Sequence, residues 1–244
     1  MRFIWLFLLL AASLAAAETA TIPTMNFNLA APDSPQQLVS SMNVILVLTL
    51  LFLAPSMVLV MTTFTRFVIV FGFLRQALGT QQVPPTQVLV MLALILTIFV
   101  MEPVGTKAYH AGIKPYVEEQ IDYEEAFIKT AEPFKNFMIR NTREKDLALF
   151  FRIRKMENPQ SISDVPISVI IPAFIISELK TAFEIGFLLF LPFLVIDMVV
   201  ASILMSMGMM MLPPVMISLP FKILVFVLVD GWNLLIGNLI ASIK

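Results

Sequence analysis

Four runs of almost uninterrupted apolar sequence, at about residues 42–64, 86–101, 183–207 and 216–241, restrict what this chain can fold into more than any other feature. An α-helix rising 1.5 Å per residue needs about 20 residues to cross the roughly 30 Å hydrocarbon layer of a bilayer, and it satisfies its own backbone hydrogen bonds while doing so. The expected fold class is therefore all-α, built of apolar helical hairpins in a membrane. Composition agrees: 59% of the 244 residues are apolar and 14% are charged, against about a quarter charged in an ordinary soluble domain.

The first twenty residues, MRFIWLFLLLAASLAAAETA, place a basic residue at Arg2, an apolar run over 3–14 and small residues at Ala15 and Ala17. This is the pattern of a cleaved secretory signal peptide, with the cut between Ala17 and Glu18. A polar stretch with Pro23, Pro32 and Pro35 fills 18–41, and a first apolar block spans 42–104. Inside that block, Arg66 and Arg75 separate the two runs, with Gly79 and Pro84-Pro85 as stop and turn signals. If each run crosses once, Glu18 lies outside, the two arginines inside and the charged middle of the chain outside, in keeping with the positive-inside rule.

That middle segment, 105–164 with its approach from Glu102, is the water-compatible part: 21 of the chain's 33 charged residues lie between 102 and 164. Val117, Ile121 and Ile128 fall at roughly helical spacing, and Asn141 followed by Glu144 can cap a second helix. Two amphipathic helices are expected. Ser163-Asp164-Val165-Pro166 then reads as the start of the second apolar block, 165–244.

Three ionisable residues interrupt the last two apolar runs: Asp197, Lys222 and Asp230. An unpaired charge at mid-membrane costs about 2.5–3.5 kcal/mol even on the lenient insertion scale, so these side chains should face protein or water. They suit buried pairing between helices or subunits, or else a proton or ion relay. Glu178, Lys180 and Glu184 precede the third run, where an interface or headgroup layer could solvate them. Pro55, Pro172, Pro192 and Pro220 sit in otherwise helical patterns and are expected to kink or break them.

Chemistry is poorly provided for. Cysteine is absent, glycine numbers 8, and the one histidine, His110, stands beside Lys107 in what reads as a solvated loop. No metal-site, nucleophile-elbow or phosphate-loop motif occurs, and no cofactor or catalytic residue is expected. A net charge of −1 gives no electrostatic reason to bind nucleic acid.

The stretch SMGMMMLPPVMISLPFK holds Met207, Met209, Met210, Met211 and Met216 around Gly208, Pro213 and Pro214. Methionine is unbranched and polarizable, so a turn this dense in thioethers can act as a deformable apolar seal, or simply as a greasy turn. Gly208 allows the chain to turn and the proline pair stops a helix.

The runs FTR, LRQALG, IIPAF, SELKTAF, PFLVIDMVV and FVLVDGW, set in two long blocks, closely resemble the FliP family of flagellar biosynthesis proteins. The resemblance covers nearly all of 48–241 and is weak over 23–37 and the charged middle. It implies a subunit of the type III export gate in the bacterial inner membrane, at the flagellar basal body. There about five copies assemble into a helical ring with FliQ and FliR homologues, work with FlhB and FlhA homologues, and pass unfolded flagellar proteins through a central channel. It further implies that the subunits sit partly above the membrane plane, and that Met209, Met210 and Met211 form a gasket supported by Met207, Gly208, Pro213 and Pro214. The virulence-injectisome counterpart is similar through both blocks, but the signal peptide favours the flagellar branch. A reading from another class is a proton- or ion-coupled transporter using Asp197, Lys222 and Asp230.

Overall fold

The computed structural model describes residues 35–80, 82–156, 164–209 and 212–243. The proposed cleavage point at Ala17 and Glu18 lies outside these. The chain divides into two compact units, Met1–Leu50 and Leu51–Lys244. In the first, the described residues belong to the start of helix α1 (Pro35–Val60), where Thr49 Oγ1 donates to the Ile45 carbonyl at 2.7 Å.

In the second unit the end of α1 leads to α2 (Phe64–Ala77) and α3 (Thr86–Ala108). A π-helical turn, Tyr109–Ile113, continues α3 into the short α4 (Lys114–Val117). Next come α5 (Tyr123–Asn141) and α6 (Glu144–Ile153), then the 40-residue α7 (Ile167–Ser206), α8 (Pro214–Leu228) and α9 (Gly231–Ala241). His110 is exposed, as expected, but stands in the π-helical turn and not in a loop.

Two helical segments among the described residues are long and apolar enough to cross a membrane, Thr86–Val117 and Ile167–Ser206; α8 with α9, bent by 64°, makes a third if counted as one broken span. Helix α7 outruns the apolar segment seen in the sequence. At 40 residues it is roughly 60 Å long, about twice the hydrocarbon thickness. The prolines expected to kink or break helices do not break them: Pro55 lies inside α1, Pro172 and Pro192 inside α7 and Pro220 inside α8. The sharp bend comes instead at Asp230, in the left-handed region with φ +52°.

One core surrounds α2. Phe67, Val70, Phe71, Leu74 and Ala77 are wholly buried and recur at the three- and four-residue spacing of a single helical face. They pack against α3 and α7 residues, with Trp232 edge-on to Phe71 at 6.3 Å. The stretch between the first two apolar runs is thus a core helix, ending just before Gly79 (φ +77°), the expected stop. Each such Phe, Leu or Val contributes about 1.5–3 kcal/mol, so α2 is held by more than its propensity.

A second core joins the charged segment to the front of α7: Phe137, Met138 and Phe151 meet Val169, Ile170 and Phe174. The two amphipathic helices are present, but their buried side is not the one the sequence spacing suggested. Val117 and Ile128 are exposed, while Ala126, Phe137, Met138 and Phe151 are buried. The helix restarts at Tyr123 after a left-handed Glu119, so Val117 and Ile128 are not in phase on one helix. The cap also differs. Asn141 ends α5 and donates to the Phe137 carbonyl at 3.0 Å, whereas Asp122 caps α5 by accepting from the Glu125 amide at 2.8 Å.

Close approach of the π-helical turn to α5 depends on Gly112. A Cβ there would sit 2.5 Å from the Ala126 carbonyl oxygen and 2.8 Å from the Thr130 amide nitrogen, both backbone atoms. Gly112→Ala is expected to force the two segments apart and cost about 1–3 kcal/mol, read as a lowered melting temperature in detergent. Gly105→Ala, where a Cβ meets nothing within 4 Å, is the control and should melt at or above the wild-type temperature.

Candidate functional site

The methionine turn follows from how α7 ends. The Met209 amide donates to the Leu204 carbonyl at 3.0 Å and the Gly208 amide to the Met205 carbonyl at 3.1 Å. This is a Schellman closure, which places its penultimate residue in the left-handed region, and Gly208 has φ +73°. Gly208, not the proline pair, therefore stops the helix. Pro213 precedes α8 and Pro214 is its first residue, where a missing amide costs nothing. The described methionines here, Met205, Met207, Met209 and Met216, are all exposed, as is Leu212. Met210 and Met211 lie outside the described residues.

Of the three charges that interrupt the last two apolar runs, two come together. Lys222 Nζ contacts Asp197 Oδ2 at 2.6 Å and donates to the Ala77 carbonyl, in the last turn of α2, at 3.1 Å. Ser218 Oγ donates to the other Asp197 oxygen at 2.5 Å. Serine, lysine and aspartate meet because Ser218 and Lys222 are four residues apart on one face of α8, against the middle of α7. The cation also suits the negative end of the α2 dipole. Asp230 is not part of this centre; it is exposed at the α8–α9 bend.

A second buried centre was not anticipated from the sequence. Arg66, on α2, makes a two-pronged contact with Glu178 on α7: Nε donates to Oε2 at 2.8 Å and Nη2 contacts Oε1. Its Nη1 donates to the Ser242 carbonyl and hydroxyl at 3.1 and 2.8 Å. Arg66 and Glu178 are 2% and 1% exposed, so neither is a loop or headgroup charge. The available signal was periodicity. Arg66 stands four residues before Val70 and one turn from the buried stripe of α2, which carries its side chain inward.

Nearby, α6 is tied to α7 through Ser177, whose Oγ donates to Asp146 at 2.6 Å and accepts from the Arg143 amide at 3.0 Å. Arg143 also reaches Glu184 at 2.9 Å. Three phenylalanines in the middle of α7 divide: Phe193 is buried, Phe190 packs partly against the α2 core, and Phe187 is exposed. Among the described residues, no group of three His, Asp or Glu side chains could hold a metal ion. Chemically, the site offers one buried and one half-buried self-neutralised ion pair and a soft, exposed apolar turn.

Comparison with known proteins gives the sequence relatives of this chain. The sequence model of the FliP family matches residues 47–239. The chain is 53% identical over 215 residues to the flagellar biosynthetic protein FliP of Bacillus subtilis (strain 168), covering 88% of this chain and 97% of that one. It is 56% identical over 197 residues to the flagellar biosynthetic protein FliP of Caulobacter vibrioides (81% and 74%). To that of Treponema pallidum (strain Nichols) it is 48% identical over 230 residues (93% and 85%).

Proposed function

The chain belongs to the FliP family, and from that premise we propose that it serves flagellar biosynthesis as the channel-forming core subunit of a type III protein export gate. In this reading about five copies form a helical ring in the inner membrane at the basal body, with FliQ and FliR homologues beside them and FlhB and FlhA homologues as further partners. Unfolded flagellar proteins pass along the axis. The signal peptide at 1–17 is removed on the way, and the charged segment 105–164 lies on the periplasmic side.

The observation that carries this reading is the turn after α7. Gly208 fixes its backbone, while Met205, Met207 and Met209 remain exposed. Copies of the turn around one axis would present a ring of flexible thioethers, able to close against ions and to deform around a polypeptide. The charges support a scaffold: Asp197 and Lys222 neutralise each other, and Asp230 stands apart, so among the described residues these three form no line of titrating groups.

The test uses the assembled complex. Replacing Met209, Met210 and Met211 together by alanine removes the side chains that would meet on the axis. The purified complex in a planar bilayer is then expected to conduct small ions well above the wild-type baseline, with export of flagellar subunits retained in cells. Wild-type conductance in an intact complex overturns the gasket.

A further inference from the structure

Between α3, α5 and the end of α9 lies a cavity of about 540 Å³ that the export-gate reading does not use. Its wall joins two kinds of chemistry. Phe99, Val100, Ile240 and Ile243 make it apolar, while Lys107, Lys129 and Arg140 bring three cations against one carboxylate, Glu132. Lys129 is engaged by Glu125 at 2.7 Å. Lys107 and Arg140 are exposed, and neither has an ion-pair partner among the described residues.

The helix prolines supply a second, independent observation. Proline removes the amide that would bond the carbonyl four residues earlier. Pro103 therefore takes the usual amide donor from the Phe99 carbonyl, and Pro133 from that of Lys129. All four residues line this one cavity. It thus offers free cations and spare carbonyl acceptors beside an apolar wall.

Position selects the ligand. The uncharged run of α3 ends at Met101, and Lys107 follows about a turn and a half later, on a segment long and apolar enough to cross a membrane. That is the level at which a lysine reaches from apolar surface to the headgroup layer. We propose that the cavity binds an anionic glycerophospholipid whose headgroup also carries hydroxyl donors. Its phosphate meets Lys107 and Arg140, its hydroxyls meet the carbonyls freed by Pro103 and Pro133, and an acyl chain lies against Val100, Ile240 and Ile243. Basic pockets between membrane helices bind lipid headgroups for the same electrostatic reason. The proposal is independent of the channel reading and survives its failure.

The test is native mass spectrometry of the full chain in detergent, titrated with phosphatidylglycerol, with phosphatidylcholine as the uncharged comparison. The expected result is retention of phosphatidylglycerol at least about ten-fold over phosphatidylcholine. K107Q/R140Q should weaken phosphatidylglycerol about 25-fold, since each cation at a headgroup is worth about a factor of five. The single variants, each about five-fold weaker, keep the test decisive if the double variant folds poorly. Undiminished binding by these variants overturns the proposal, as does equal retention of phosphatidylcholine. Displacement by millimolar inorganic phosphate also overturns it, because the site would then select a soluble anion.

Discussion

Arg66→Met is expected to destabilise the protein by about 3–5 kcal/mol, the usual cost of stranding one member of a buried ion pair. The substitution leaves Glu178, 1% exposed, without its two-pronged partner, and Ser242 without the donor that ties the chain end to α2. Arg66→Lys is expected to recover little, because an ammonium cannot make the parallel contacts of a guanidinium or reach Glu178 and Ser242 together. The informative variant is Arg66→Met with Glu178→Met. Removing both charges removes the stranded carboxylate, and buried pairs replaced by apolar groups of similar volume are often neutral or better. The double variant should therefore regain most of the stability lost by either single one. Denaturation of all three in detergent measures this as a coupling energy. If the double variant loses as much as the two single ones added together, the pair is not the coupled unit its geometry indicates.

How much of this was legible in the sequence depended on whether a signal was local. Long apolar runs specify membrane-capable helices by length and composition alone, and Gly208 marks a helix end because few other residues accept its backbone angle. The methionine cluster was visible for the same reason. What could not be read were choices made by tertiary contact. The run around Arg66 looks like a short polar break between spans, because the core helix α2 is only 14 residues long and carries two arginines. Its burial depends on a carboxylate 112 positions away. Prolines gave a misleading signal. A long helix can lose one amide bond without ending, so Pro172 and Pro192 pass inside α7 while the sharp bend falls at Asp230. The buried face of α5 was misjudged because spacing was counted across a break in the helix at Glu119. The pairing of Asp197 with Lys222 and not with Asp230 follows from where α8 meets α7, which no single-chain pattern states.

Asp197 and Lys222 should fail unequally when each is replaced by an apolar residue, and the inequality bears on what the protein does. Lys222 is 2% exposed and has no water to turn to. Asp197→Leu strands that ammonium and is expected to cost about 3–5 kcal/mol. The Asp197 side chain is 32% exposed and keeps its bond from Ser218. Lys222→Met leaves it partly solvated, so about half that loss is expected; the Ala77 carbonyl also loses its donor. Asp197→Asn is the variant that separates scaffold from relay. An amide oxygen can still accept from Lys222 or Ser218, so the fold should survive, while a proton-carrying carboxylate is gone. In a scaffold, protein level and flagellar export fall together, and Asp197→Asn stays within a few-fold of wild type in both. In a proton-coupled transporter, Asp197→Asn would accumulate normally and export nothing. Quantifying accumulation and export side by side in the three variants distinguishes these outcomes, and normal accumulation with abolished export would remove the argument that these charges serve only to hold α7, α8 and α2 together.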